Sequence, residues 1–383
     1  MNEWRQAILE DVVERFIDYR GKTPPKTEFG IPLVTAKIVK NGSIQPPNEY
    51  ISQDTYKRWM TRGYPIIGDV VLTTEAPLGE VALLKDSNVA LAQRIILIRG
   101  KANILDNSFL KYYFQSRDGQ HVLQSRASGT TVFGIKAAVL KKVPIPLPSL
   151  NEQKAIATVL SSLDDKIDLL HRQNKTLESI AQALFRHWFI DGAEDEWEEG
   201  TIPDEFDFTM GLSPSGSSYN EEGIGMPMFQ GNADFGFRFP DNRVFTTEPK
   251  RLAEKYDTLI SVRAPVGAQN MAYEKCCIGR GVATFRYKSK PPFYTYTYFK
   301  IWSLMDEIKQ FNDEGTVFGS INKQDFENFK ITIPPVELIF QFQNIAKPVD
   351  DKIIANSIQI RTLEKLRDTL LPKLMSGGVR VRL

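Results

Sequence analysis

The 383-residue sequence has only two cysteines, Cys276 and Cys277. Adjacent cysteines rarely bridge, so they read as buried thiols in a strand and no disulfide scaffold is expected. No run of about 18 apolar residues occurs, and Met1-Asn-Glu-Trp-Arg-Gln6 has no basic start leading into an apolar stretch, which predicts a cytoplasmic protein without a membrane span. Phosphate-loop spacing Gly-x-x-x-x-Gly-Lys-[Ser/Thr] is missing, as is an Asn-Pro-Pro-aromatic run of the kind that adenine methyltransferases carry. The three histidines, His121, His171 and His187, lack metal-ligand spacing. Asp164 and Asp165 are adjacent, so on a helix they diverge by about 100° and make a poor metal site. Glu152-x-Lys154 opens a helix and reads as a cap. Together these absences predict no catalytic site, no metal and no cofactor in this chain.

Bulk charge is also nearly absent, at +1 overall, but it is unevenly spread. Residues 1–149 carry +6, 150–190 carry 0, 191–200 carry −6, 201–335 carry −2 and 336–383 carry +3. The first segment can attract a polyanion by its field, whereas the fourth needs a local basic face. The stretch 191–200 reads as an acidic linker.

What the chain does have is an internal repeat. Thr131-Val-Phe-Gly134 returns as Thr316-Val-Phe-Gly319, and Asp164-Asp-Lys-Ile167 as Asp350-Asp-Lys-Ile353. Ala76-Pro-Leu-Gly79 returns as Ala264-Pro-Val-Gly267, Gly30-Ile-Pro-Leu-Val34 as Gly225-Met-Pro-Met-Phe229, and Glu3-Trp4 as Glu196-Trp197. Offsets that drift between 185 and 195 while the order is kept mean two copies of one unit with insertions in the loops. Within a unit, apolar runs such as Val70–Thr74, Val81–Leu84 and Ile95–Ile98, and later Leu259–Val262 and Val282–Phe285, read as strands. Helices are expected around Phe109–Gln124 and Thr297–Phe311. The fold class is therefore α+β: two tandem pseudo-repeats, each a mixed-strand module followed by a long helix. The expected domains are 1–149, a helix over 150–190, the linker 191–200, a second module over 201–335 and a helix with its tail over 336–383.

The long helices carry a narrow seam. Ile156, Leu160, Leu163, Ile167, Leu170, Asn174, Leu177, Ala181, Leu184 and Trp188 alternate steps of four and three, as do Phe342, Ala346, Val349, Ile353, Asn356, Ile360, Leu363, Arg367, Leu370 and Leu374. Such a seam predicts helix on helix as a coiled coil. A parallel, in-register pair would set each Asn against an apolar residue; an antiparallel pair whose numbers sum to 530 sets Asn174 on Asn356. Two features oppose that register: Leu163 would face Arg367, and Pro348 should kink or restart its helix. A register summing to 537 remains open.

Leu147-Pro-Ser-Leu-Asn-Glu-Gln-Lys154 running into Leu163-Asp-Asp-Lys-Ile167, together with Ile333-Pro-Pro-Val336, Asp350–Ile353 and Leu371-Pro-Lys-Leu-Met-Ser-Gly377, resembles the two spacer helices of the specificity (S) subunit of type I restriction-modification systems. Gly68-Asp-Val-Val-Leu72, Ala76–Val81 and Ala92-Gln-Arg94 resemble strands and loops of that family's target recognition domains. The second copy departs from the first in having Arg280-Gly281 for Gln93-Arg94 and Glu337-Leu-Ile for the Asn-Glu-Gln entry. The resemblance implies a non-catalytic, DNA-binding subunit whose two target recognition domains each dock half of a bipartite double-stranded DNA site in the major groove. An antiparallel spacer would set the gap, and a helix of roughly 26 residues spans about 40 Å, near one turn of B-DNA. The implied partners are two modification (methyltransferase) subunits, which would hold S-adenosylmethionine, and translocating restriction (endonuclease) subunits. A bivalent protein-binding scaffold is the alternative.

Loop residues with basic, amide or hydroxyl groups beside Gly and Pro are the candidate DNA contacts, since Arg suits guanine, Gln and Asn suit adenine, and Lys holds phosphate. In the first copy they are Arg20, Lys22, Thr23, Lys37, Lys40, Asn41, Lys57, Arg58, Gln93, Arg94, Ser128, Thr130 and Lys136. Ser213, Ser215, Gln230, Asn232, Arg263, Arg280, Thr316 and Lys323 are their counterparts in the second.

Overall fold

In the computed structural model the described residues are 4–19, 23–129, 132–289, 293–311 and 319–381. The chain forms two compact units, Met1–Ile167 with Leu363–Leu383, and Asp168–Thr362. Each unit therefore holds one module and a stretch of both long helices, a division that cuts across the helix-by-helix partition expected from sequence.

The central sheet of the first unit is antiparallel, in the order Val13–Asp18, Ile95–Gly100, Val70–Thr74, Leu78–Leu83. Its inner strands lack polar alternation because both faces are covered. Val70, Leu72, Ile96 and Ile98 face a core with the helix Asn107–Gln115, while Val71, Ile95 and Leu97 face a second core built on Ile31–Val34 and Ala90–Leu91. The second unit repeats the arrangement. Its sheet runs Phe206–Met210, Val282–Tyr287, Thr258–Ser261, Gln269–Met271, with Ile260, Ala283 and Phe285 in one core and Leu259 and Val282 in the other. Cys276 and Cys277 are free, buried thiols of the strand Cys276–Ile278.

Each unit also pairs a strand near its start with one just before a long helix: Arg5–Ile8 with Pro144–Leu147, and Glu198–Thr201 with Lys330–Ile333. The second pair takes in residues 198–200, the end of the acidic stretch expected to be linker. Ladder hydrogen bonds between backbones tolerate the two exposed Glu side chains there.

Both helices expected inside the modules are broken. Ser116, with ψ of 159°, ends Asn107–Gln115 and caps Arg117–Gln124, its Oγ accepting from the Gly119 amide at 3.2 Å. A Cβ on Gly119 would lie 2.0 Å from the Tyr113 carbonyl oxygen, so the sharp turn requires glycine. The second pair, Tyr294–Ser303 and Met305–Gln310, is separated at Leu304.

Leu150–Phe189 and Val336–Met375 are each 40 residues long, about 60 Å at 1.5 Å per residue, rather than the roughly 26 residues reckoned for the spacer. The added turns pack on the modules: Ile156, Ala157 and Leu160 share a core with Phe109 and Leu374 in the first unit, and Phe185, Phe189 and Phe342 join Tyr296 in the second. Pro348 neither breaks nor restarts its helix. One lost amide is outweighed by packing on both sides, where Ala346, Ile353 and Ile354 are buried. Within the second unit Asn174 meets Asn356 while Phe185 and Phe189 pack edge-to-face on Phe342, so the helices run antiparallel. In the first unit Asp164 meets Arg367 while Ile156 shares a core with Leu374, again antiparallel.

Candidate nucleic-acid interface

Within the second unit the two long helices meet through a pair of buried amides. Asn356 Nδ2 donates to Asn174 Oδ1 at 2.9 Å, which is the pairing of the 530 sum, and Asn174 Nδ2 donates to Ser357 Oγ at 3.2 Å. Both amides are 1% exposed, with Leu170, Ile353 and Ile360 buried nearby in sequence. The Arg367 guanidinium reaches Asp164 Oδ1 at 3.2 Å. A long cation thus leaves the apolar seam for a charge at its edge.

The duplicated aspartate ties module to helix in both units, by different means. Asp164 accepts from Lys111 Nζ at 2.8 Å and Tyr112 Oη at 2.7 Å. Burial pushes its pKa up, but Lys111 and these hydrogen bonds prevail and hold it below the ordinary carboxylate range. Asp350 is fully buried, accepts from Thr295 Oγ1 at 3.0 Å, and lies 3.3 Å from the guanidinium of Arg238. Arg238 also bonds Glu178 on the first long helix and stacks 3.9 Å over the Tyr298 ring. Here two carboxylates share one buried cation, and burial raises the pKa of both.

At one end of each central sheet lies a surface concavity that gathers candidate residues. In the first unit it is lined by Glu75, Gln93, Arg94, Ser128 and Lys136, with Asp18, Thr74 and Val132 among the rest. Gln93 Nε2 donates to Thr23 Oγ1 at 2.8 Å, and Arg94 Nε stands 3.7 Å from Glu75 Oε1. The loop after Ser128 is pinned to the strand end, since the Ile135 amide donates to the Thr74 carbonyl and Ser128 and Gly134 exchange amide bonds. Val132 and Phe133 are exposed.

The second unit's concavity is lined by Arg263, Arg280, Asn322 and Lys323 around Gly319–Ile321. Ile321 N donates to the Val262 carbonyl, matching the bond from Ile135 to Thr74 in the first unit. Ser213 Oγ donates to Gln230 Oε1 at 2.7 Å and accepts from the Arg280 amide at 3.1 Å; Gln230 Nε2 donates to Tyr219 Oη. Their polar groups hold the turn that presents Arg280. A Cβ at Gly281 would come 2.2 Å from the Gln230 carbonyl oxygen, so that turn is closely packed.

Other candidates stand apart from the concavities. Lys37 lies on a 3-10 turn, Lys40 and Asn41 on a tight hairpin, and Lys57 and Arg58 on the helix Gln53–Trp59, all exposed. Ser215 Oγ is shared with Ser217 Oγ, and Asn232 starts a 3-10 turn. Arg20, Lys22, Thr130 and Thr316 lie outside the described residues. Sequence reasoning missed Glu75; its place directly before the repeated Ala-Pro motif, where the second copy has Arg263, was the available signal. Among the described residues no cluster of three or more His, Cys, Asp or Glu side chains is placed to hold a metal, and no helix is long and apolar enough to cross a membrane.

Residues 1–179 and 194–364 each match the family described as type I restriction modification DNA specificity domain. The chain belongs to this DNA specificity family. Among its relatives are two from Methanocaldococcus jannaschii. The putative type I restriction enzyme MjaX specificity subunit is 28% identical over 404 residues, covering 99% of this chain and 94% of that protein. The MjaIX specificity subunit is 29% identical over 418 residues, with the same coverage. The crystal structure of the type I restriction-modification S subunit from M. genitalium aligns with a TM-score of 0.64, at 19% identity, over 97% of this chain and 96% of that one, and so shares the fold. The two matched segments of this specificity chain fall one on each copy of the repeat.

Proposed function

We propose that this specificity chain reads a bipartite DNA sequence, one half with each unit, and carries no chemistry of its own. The supporting observation is the duplication of the concavity itself: equivalent strand ends, joined by equivalent amide bonds from Ile135 to Thr74 and from Ile321 to Val262, present basic and amide side chains in both units. Arg and Gln in the turns that enter a central strand suit base edges, whereas exposed Lys40, Lys57 and Lys136 suit phosphates. The antiparallel helices, tied to their modules through Asp164 and Asp350, set the unspecified gap between half-sites. Modification subunits carrying S-adenosylmethionine assemble with the chain and methylate the DNA it selects; restriction subunits join them. Family membership favours this reading over a bivalent protein scaffold.

Incubation with labelled S-adenosylmethionine and plasmid DNA tests it. The chain alone should transfer no methyl groups, and addition of its modification subunit should methylate one bipartite sequence. Transfer by the lone chain, or methylation without sequence preference in the complex, contradicts the proposal.

A further inference from the structure

The two concavities occupy equivalent places but offer different hydrogen-bonding groups. Their equivalence follows from a repeated ion pair: Arg99 grips Asp69, and Arg286 grips Asp257, each through two hydrogen bonds of 2.7–2.8 Å. Counting six residues outward from each member sets Glu75 against Arg263 and Gln93 against Arg280, and the strand registers agree, with Ile95 opposite Thr73 and Val282 opposite Ser261. Arg94 then corresponds to Gly281, which has no room for a side chain.

The first unit thus presents an acceptor in Glu75 and both donor and acceptor in Gln93, whose Nε2 is steadied by Thr23. Glu75 also offsets the charge of Arg94. At the same two positions the second unit presents only donors. No carboxylate lines its concavity among the described residues, and Lys323 at its edge is paired with Glu327 at 2.6 Å. In the major groove guanine shows two acceptors, O6 and N7, which a guanidinium fork meets bidentately; adenine shows an acceptor and a donor, which an amide meets.

We propose that Arg280, with Arg263 beside it, reads guanine in the half-site of the second unit, and that Gln93 reads adenine at the equivalent place in the first. This rests on the DNA-reading function proposed above. Recognition of one base chemistry by each unit would let two copies of a single fold select an asymmetric site.

The test is methylation mapping of a host expressing the chain with its modification subunit. Arg280→Gln should shift one position of one half-site from guanine to adenine, with the guanine preference falling about five- to hundredfold, the range expected for losing a bidentate base contact. Gln93→Arg should do the reverse at one position of the other half. The untouched half of each variant's motif reports that the complex is folded. Should Arg280→Gln abolish methylation, Arg280→Lys, which keeps the charge but loses the fork, decides: a weakened guanine preference supports the proposal. An unchanged motif in both variants, or a second half-site without guanine, overturns it while leaving the bipartite function standing. A wild-type complex with no bipartite motif would instead refute the underlying function.

Discussion

Replacing Asn174 by Leu isolates the polar contact in the helix seam. In the native pair Asn356 Nδ2 donates to Asn174 Oδ1 at 2.9 Å, with Gln173 Oε1 at 3.5 Å as its other acceptor, and Asn356 Oδ1 has no partner among the described residues. Asn174→Leu therefore strands a buried amide that is 1% exposed, at a cost of about 1–3 kcal/mol. The reverse change, Asn356→Leu, should cost less, because Asn174 Nδ2 keeps Ser357 Oγ at 3.2 Å. Changing both removes both amides and should recover much of the loss, so the coupling in a double-mutant cycle should be about 1–2 kcal/mol. Urea unfolding followed by helical circular dichroism measures this; with two units the comparison is made on midpoints at constant slope. Single losses that simply add in the double variant, to within about 0.5 kcal/mol, would refute the paired-amide account.

Two further outcomes follow from buried charge. Arg238→Met leaves Glu178 and Asp350 facing each other without their cation, and should destabilise the chain by about 3–5 kcal/mol in the same unfolding assay, while replacing all three by apolar residues should restore most of it. Glu205, buried and accepting from Tyr296 Oη at 2.6 Å, has its pKa pushed by burial up to about 7 from 4.5. The folded state thus binds the proton more tightly, so this contribution is fully present below about pH 4.5 and is lost as pH rises through about 7. It amounts to on the order of 3 kcal/mol. Glu205→Gln should flatten that slope between pH 5 and 8, and an unchanged slope would contradict the assignment.

The duplication, the strand cores and the Asn174–Asn356 pairing were legible because each leaves a local pattern: repeated tetrapeptides, apolar runs, and seam steps of four and three. Other features were not. Pro348 reads as a breaker on propensity, yet packing around Ala346 and Ile353 overrides one lost amide. Leu163 opposite Arg367 looks like a clash until the long side chain swings to Asp164, a choice of rotamer that spacing does not encode. Among the DNA candidates, spacing could not separate Gln93, Arg94 and Lys136, which share a concavity, from Lys57 and Arg58, which sit on a separate helix. Ser213 and Gln230 have the chemistry of base readers but are occupied in holding the Arg280 turn.

The central claim is that each half of the chain selects its own half of one DNA site. Exchange of residues 1–149 for the first module of another family member, followed by long-read methylation mapping in cells that supply the modification subunit, measures this directly. The account predicts a new sequence in one half-site, with the gap and the other half unchanged. Alteration of both halves, or of neither, would contradict it.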